Sequence, residues 1–349
     1  MCQIIGISNI TGLSRTQINS LALKSKDLVR SQKDGFGWCY AAKPRNGKSN
    51  HNYYCEKYVD PQSFKGIGSV GYSKRHLRGL TKAINMPMLS SGHPDAPIGG
   101  FLAHGRISTN AKNIVNTHPF RKKRWAMVHN GVVDLAWSQH DPDGTKADLN
   151  KMGFNTKLLA KRYSSCDSEW LLNTYIHAHG HHNWCEILEG YAATLTIAPD
   201  GTFIAAKDDA AYLYLSVIPE LNDGAIIFGT APHFAGELAK SIQMTCTPSF
   251  EINSCTAIII SPTGSIKLES FESMDSCTSV GFHDNANKAF GWKDKANKKK
   301  GVTTHTYPDK SNYYNSDTNS YWIKEKERVN NVKDTLPSTT LNISKGDLL

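Results

Sequence analysis

The stretch YAATLTIAPDGTFIAAKDD, residues 191–209, holds two apolar runs of strand length separated by Ala-Pro-Asp-Gly. Asp-Gly supplies the positive φ that hairpin turns require, and so short a connection can join only antiparallel neighbours. The same character continues downstream in AYLYLSVI (211–218), GAIIFGTA (224–231) and CTAIIISP (255–262), with a second turn at SPTGSI (261–266). One short helix, HFAGELAKSI (233–242), interrupts this run. Upstream, GGFLAHGRI (99–107) and RWAMVHNGVV (124–133) read as strong strands, as do CQIIGIS (2–8) and GFGWCYAA (35–42).

Two helices complete the pattern. From Ser14 to Arg30, Ile18, Leu21, Ala22, Leu28 and Val29 recur at helical spacing behind Ser14 as N-cap. Another begins near Cys166–Asp167 and carries Leu171, Leu172, Tyr175 and Ile176 on one face. Residues 43–98 are loop-rich, with Tyr53, Tyr54, Tyr58 and Val59 marking a strand. Strands in runs, with helices that interrupt instead of alternating, predict an α+β sandwich of antiparallel sheets and exclude a doubly wound parallel sheet. The folded region is read as 2–272. From 273 to 349 the chain turns polar and basic, rich in Asn, Lys, Ser and Thr, the composition of an extended or disordered tail.

The totals fit a soluble globular chain: 349 residues, a net charge of +9 and no apolar run of membrane-spanning length. Without a secretory signal pattern the expected location is the cytoplasm. Eight cysteines, at 2, 39, 55, 166, 185, 246, 255 and 277, include no C-x-x-C, so free thiols are expected. Two basic knots, RKKR (121–124) and KDKANKKK (293–300), suit a solvated loop as well as a binding patch, and nucleic acid is not the favoured partner.

Four stretches carry chemistry. Cys2 becomes the first residue once Met1 is trimmed. Its thiol then lies beside an α-amino group whose ordinary pKa, about 8, lets it accept the thiol proton. AHGRISTNA (103–111) presents Arg106, which suits either a surface ion pair or a bidentate clamp on a carboxylate. VHNGVV (128–133) places Asn130-Gly131 after an apolar run, as a type I′ turn or as donors to a developing oxyanion. SCDSEWLL sets Asp167 at a helix start, as an N-cap or as a partner for an ammonium group. The run HAHGHH (177–182) approaches the spacing of metallo-hydrolase ligands. It falls at a helix end, however, where histidines complement the dipole and reach solvent, so no metal is expected.

In this order the stretches resemble the class II, N-terminal-nucleophile glutamine amidotransferases. Met-Cys and a strand come first, then a Gly-rich strand (DGFGW, 34–38), HGRISTNA, NTHPF (116–120), HNG and an aspartate opening a helix. The resemblance covers roughly residues 2–270. It implies a four-layer αββα sandwich, with Cys2 as nucleophile, its freed amine as base, and Asn130 and Gly131 as oxyanion hole. It assigns Arg106 to the α-carboxylate of glutamine and Asp167 to its α-amino group, with Thr109 and His118 near other substrate-binding positions. Ile107 and Gln3 depart from the family pattern. No cofactor is implied. Because no stretch resembles a synthase domain, the ammonia released is expected to pass to a separate synthase protein. The alternative is a catalytically idle relative that serves as a scaffold through its basic tail.

Overall fold

Every strand pairing among the described residues of the computed structural model, 2–42, 52–64, 97–107, 112–137, 142–222 and 224–274, is antiparallel. The strands are β1 (Gln3–Ile7), β2 (Phe36–Ala42), β3 (Asn52–Tyr58), β4 (Pro97–Gly105), β5 (Phe120–Lys122), β6 (Trp125–Leu135) and β7 (Leu188–Ile197). They continue with β8 (Phe203–Lys207), β9 (Tyr214–Ile218), β10 (Ala225–Gly229), β11 (Phe250–Glu251), β12 (Thr256–Ile260) and β13 (Ile266–Ser270). One sheet has the order β11-β9-β10-β1-β4-β2-β3, the other β13-β12-β8-β7-β6-β5. The helices are α1 (Arg15–Leu28), α2 (Pro142–Lys151), α3 (Thr156–Ala160), α4 (Ser168–His177), α5 (Trp184–Ile187) and α6 (Phe234–Ser241).

The hairpin at 197–203 uses its Asp-Gly as expected. Gly201 takes φ +94°, its N–H reaches the Ala198 carbonyl, and the Asp200 carboxylate accepts from Thr202 N–H. Ser14 caps α1 in a full capping box with Gln17.

Strand alternation sorts the apolar residues into three cores. In β1, Ile5 and Ile7 join α1 and α6, while Ile4 joins the space between the sheets. That middle layer takes Leu102, Val128, Leu195, Phe203 and Phe228 from strands of both sheets. On the far face of the second sheet, Met127, Val133 and Leu135 pack with Leu171, Leu172 and Tyr175 of α4. The result is the four-layer αββα sandwich expected from the sequence.

Two readings change. RKKR is split between a half-buried strand and an exposed turn. Arg121 and Lys122 belong to β5, and Lys123 and Arg124, at φ +47° and +63°, form the two-residue turn into β6. The Arg121 guanidinium lies 5.0 Å from the centre of the Tyr53 ring, and Lys122 Nζ donates to Asn173 Oδ1 at 2.6 Å. Met274, read as tail, is fully buried against the α4 face of the second sheet. The rest of the tail, Cys277 and the KDKANKKK knot lie outside the described residues. No helix among the described residues is long and apolar enough to cross a membrane.

The middle layer is closed by Phe203, which stacks on Phe228 at 5.5 Å between centroids. It covers two glycines: a Cβ on Gly100 would stand 2.3 Å from its ring, and one on Gly6 2.8 Å. Phe203→Ala should lower unfolding free energy by about 3–5 kcal/mol, and Gly100→Ala by about 1–3 kcal/mol. Phe203→Leu should recover part of the Gly100→Ala loss in a double mutant. Denaturant midpoints check all three.

Candidate active site

Period-two alternation places Cys2 on the same face of its strand as Ile4, toward the middle layer. Pairing of Gln3 with Gly105 then brings the residues after β4 alongside it. The half-buried Cys2 thiol lies against the Ile107 backbone, accepting from its N–H at 3.4 Å, with the Ile107 carbonyl at 3.5 Å. Arg106 is buried, its N–H donating to Gly35 O at 2.8 Å and its carbonyl accepting from Asp34 N–H at 3.0 Å.

Burial pushes the Cys2 thiol above its ordinary pKa. The Ile107 N–H and the Arg106 guanidinium pull it back, while the Asp167 carboxylate pushes the same way as burial. The thiol therefore feels a fixed cation and a fixed anion together. Tyr191 stands in the same neighbourhood: its hydroxyl is raised first by burial and then by the charges of Cys2 and Asp167.

Asn130 continues the middle-layer face of Ala126 and Val128 along β6. It is buried, and its side-chain oxygen has no hydrogen-bond partner. A buried carboxamide oxygen left unpaired is uncommon and marks a place where a donor can bond. The Asn-Gly pair is not a turn. Gly131 pairs with Ala192 in the middle of a continuous β6–β7 ladder, which excludes the type I′ alternation of direction. At φ +151°, a Cβ on Gly131 would stand 2.1 Å from the Tyr191 carbonyl oxygen, so only glycine allows the two strands to close here.

Asp167 does cap α4, its Oδ1 accepting from Ser168 N–H at 3.0 Å. Its second oxygen accepts from Val133 N–H, also at 3.0 Å, tying the helix start to β6 two residues past Gly131.

Behind this carboxylate is a polar cluster that sequence reasoning did not assemble. Ser168 Oγ lies 2.9 Å from both His118 Nε2 and His129 Nδ1. His118 stacks on His104 at 3.9 Å, and His104 Nε2 is 3.1 Å from the His129 carbonyl. His118 thus contacts the residue beside Asp167. The signal was present, since AHG, THP and VHNG each carry one of these histidines, but only the fold stacks them. Thr109 lies outside the described residues.

Desolvation lowers all three histidines, His104 to about 3, with His129 and His104 adding to the effect on their neighbours. They are neutral at pH 7 and serve as hydrogen-bonding spacers, not charges. Cys2, Arg106 and Asp167 thus lie within electrostatic reach of one another, and Gly131 lies against Tyr191, which feels the charges of Cys2 and Asp167. A cation and an anion thus act on one thiol.

No family model and no curated protein matches the chain. Among solved structures it is similar to glutamine phosphoribosylpyrophosphate (PRPP) amidotransferase from B. subtilis, complexed with ADP and GMP. Identity is 17%, the TM-score 0.47, and the match covers 78% of this chain. The chain spans about half the length of that protein, 49%.

A histidine whose folded pKa is depressed contributes stability that is complete above its unfolded value and lost as pH falls below it. For His104, a shift from 6.5 to about 3 makes this loss about 2 kcal/mol at pH 5. Urea unfolding at pH 7 and pH 5 should therefore show a smaller pH-dependent loss in His104→Gln than in the unaltered protein, by about that amount.

Proposed function

We propose that this chain is a class II glutamine amidotransferase that releases ammonia from L-glutamine through a Cys2 thioester. The observation that carries the reading is the position of the Cys2 thiol, against the Ile107 backbone and within the fields of both Arg106 and Asp167. Free glutamine is an α-carboxylate, an α-ammonium and a side-chain amide. Arg106 suits the first, Asp167 the second and the thiol the third.

In this mechanism Met1 is removed, and the freed α-amine of Cys2 takes the thiol proton as sulfur attacks the Cδ carbonyl carbon. The developing oxyanion is met by the Asn130 amide and the Gly131 N–H. The C–N bond then breaks, the amine returns the proton to the leaving nitrogen, and ammonia departs. Water attacks the γ-glutamyl thioester, with the amine again taking a proton, to give glutamate and regenerate the thiol. Because burial raises the thiol, base assistance is needed at neutral pH. His118 supports the site through Ser168, and Thr109 belongs to the stretch that follows Arg106. The ammonia is delivered to an acceptor on a separate synthase protein.

A glutamine-analogue electrophile should add one equivalent at Cys2, seen by intact mass and peptide mapping, and only in protein lacking Met1. Cys2→Ala, or a residue retained ahead of Cys2, should abolish both labelling and glutaminase activity. Asn130→Ala should lower kcat by about 10²–10³ with labelling site unchanged. A processed N-terminus with neither labelling nor glutamine hydrolysis would instead favour the idle scaffold.

A further inference from the structure

The histidine run at the end of α4 is absorbed by neither the fold nor the proposed site. His179 and Gly180, at φ +62° and +98°, break the helix and send the chain into a short 3-10 turn, His181–Asn183. The run therefore does not simply reach solvent from a helix end. His181 is buried and His182 half exposed, with side-chain exposures of 4% and 49%.

Both rings point at one atom. His181 Nε2 lies 2.8 Å and His182 Nε2 2.9 Å from Oε2 of Glu269, on the edge strand β13. The three donor atoms all lie within 4.8 Å of one another. The other carboxylate oxygen, Oε1, is held by Lys267 Nζ at 2.5 Å, which leaves Oε2 to the two imidazoles. Phe271 stands 5.4 Å from the His181 ring and 5.3 Å from Trp184, forming an apolar wall on the buried side.

We propose that His181, His182 and Glu269 form a binding site for a divalent transition-metal cation of the zinc class. Two imidazole nitrogens and one carboxylate oxygen are a donor set suited to that class and not to magnesium or calcium, which require mainly oxygen. Metal–ligand bonds of about 2.0–2.1 Å put tetrahedral ligand atoms about 3.3 Å apart. Moving each nitrogen outward by roughly half an ångström therefore admits the ion. The half-exposed side at His182 leaves room for water to complete the coordination. An ion there would bridge the chain following α4 to the edge of the second sheet. Lys267 opposes it, because its ammonium shares the ligating carboxylate.

The test uses the full-length chain carrying Cys2→Ala, which removes the active-site thiol as a competing ligand. After chelator treatment, zinc binding is titrated by calorimetry and by competition with a chromophoric chelator, with magnesium in parallel. One zinc equivalent that is weakened about tenfold or more by His182→Ala and by Glu269→Gln supports the site. Tightening by Lys267→Gln supports it as well, since loss of a merely structural ion pair would not raise zinc affinity. Absence of zinc binding, or binding unchanged in all three variants, overturns it. Because the readout is metal binding and not glutamine hydrolysis, the outcome is independent of the proposed activity.

Discussion

The position of β1 at the middle of the larger sheet is the constraint on which the rest depends. Flanked by β10 and β4, the first strand buries both of its faces, Ile5 and Ile7 toward the helices and Ile4 toward the second sheet. Cys2 directly precedes this central strand and is therefore held within a fixed frame whose neighbours are set by strand register. Gln3 opposite Gly105 brings Arg106 and Ile107 alongside, and the middle layer brings β6.

The polar residues around this frame are arranged by a different rule. In the buried cluster of His104, His118, His129 and Ser168, one ring nitrogen of each histidine is paired within the cluster, while His104 Nδ1, His118 Nδ1 and His129 Nε2 are not. Desolvation keeps these imidazoles neutral, so they add no charge. The charge near Cys2 is therefore left to Arg106 and Asp167. Asp167 is held from two sides, by its own helix and by β6, and this fixes its carboxylate relative to the Asn130-Gly131 peptide.

Much of the fold was legible because the deciding signals are local. An Asp-Gly turn between two apolar runs, Ser14 before a helical period, and Asp167 before the Leu171–Tyr175 face each specify their element within a few residues. What could not be read depends on contacts distant in sequence. Lys123-Arg124 form a hairpin turn without a favoured turn residue, held by the pairing of Lys122 with Trp125. Asn130-Gly131 is the most favoured of turn dipeptides, yet β7 holds it straight. The helix Pro142–Lys151 buries little beyond Leu149 and so has weak apolar periodicity. Within the candidate site, each motif could be located in the sequence. The histidine cluster and Tyr191 could not, since their association requires the two sheets to be stacked.

The central location of β1 also sets an order of events during synthesis. Its partners lie far along the chain: Ile5 pairs with Ala103 on one side and with Gly229 on the other. The first strand leaves the ribosome early but cannot complete its ladder until β10 has followed, which makes closure of this sheet a high-contact-order step. Until then, one edge of an apolar strand stays open to water and to other chains. The open interval ends when Gly229 docks.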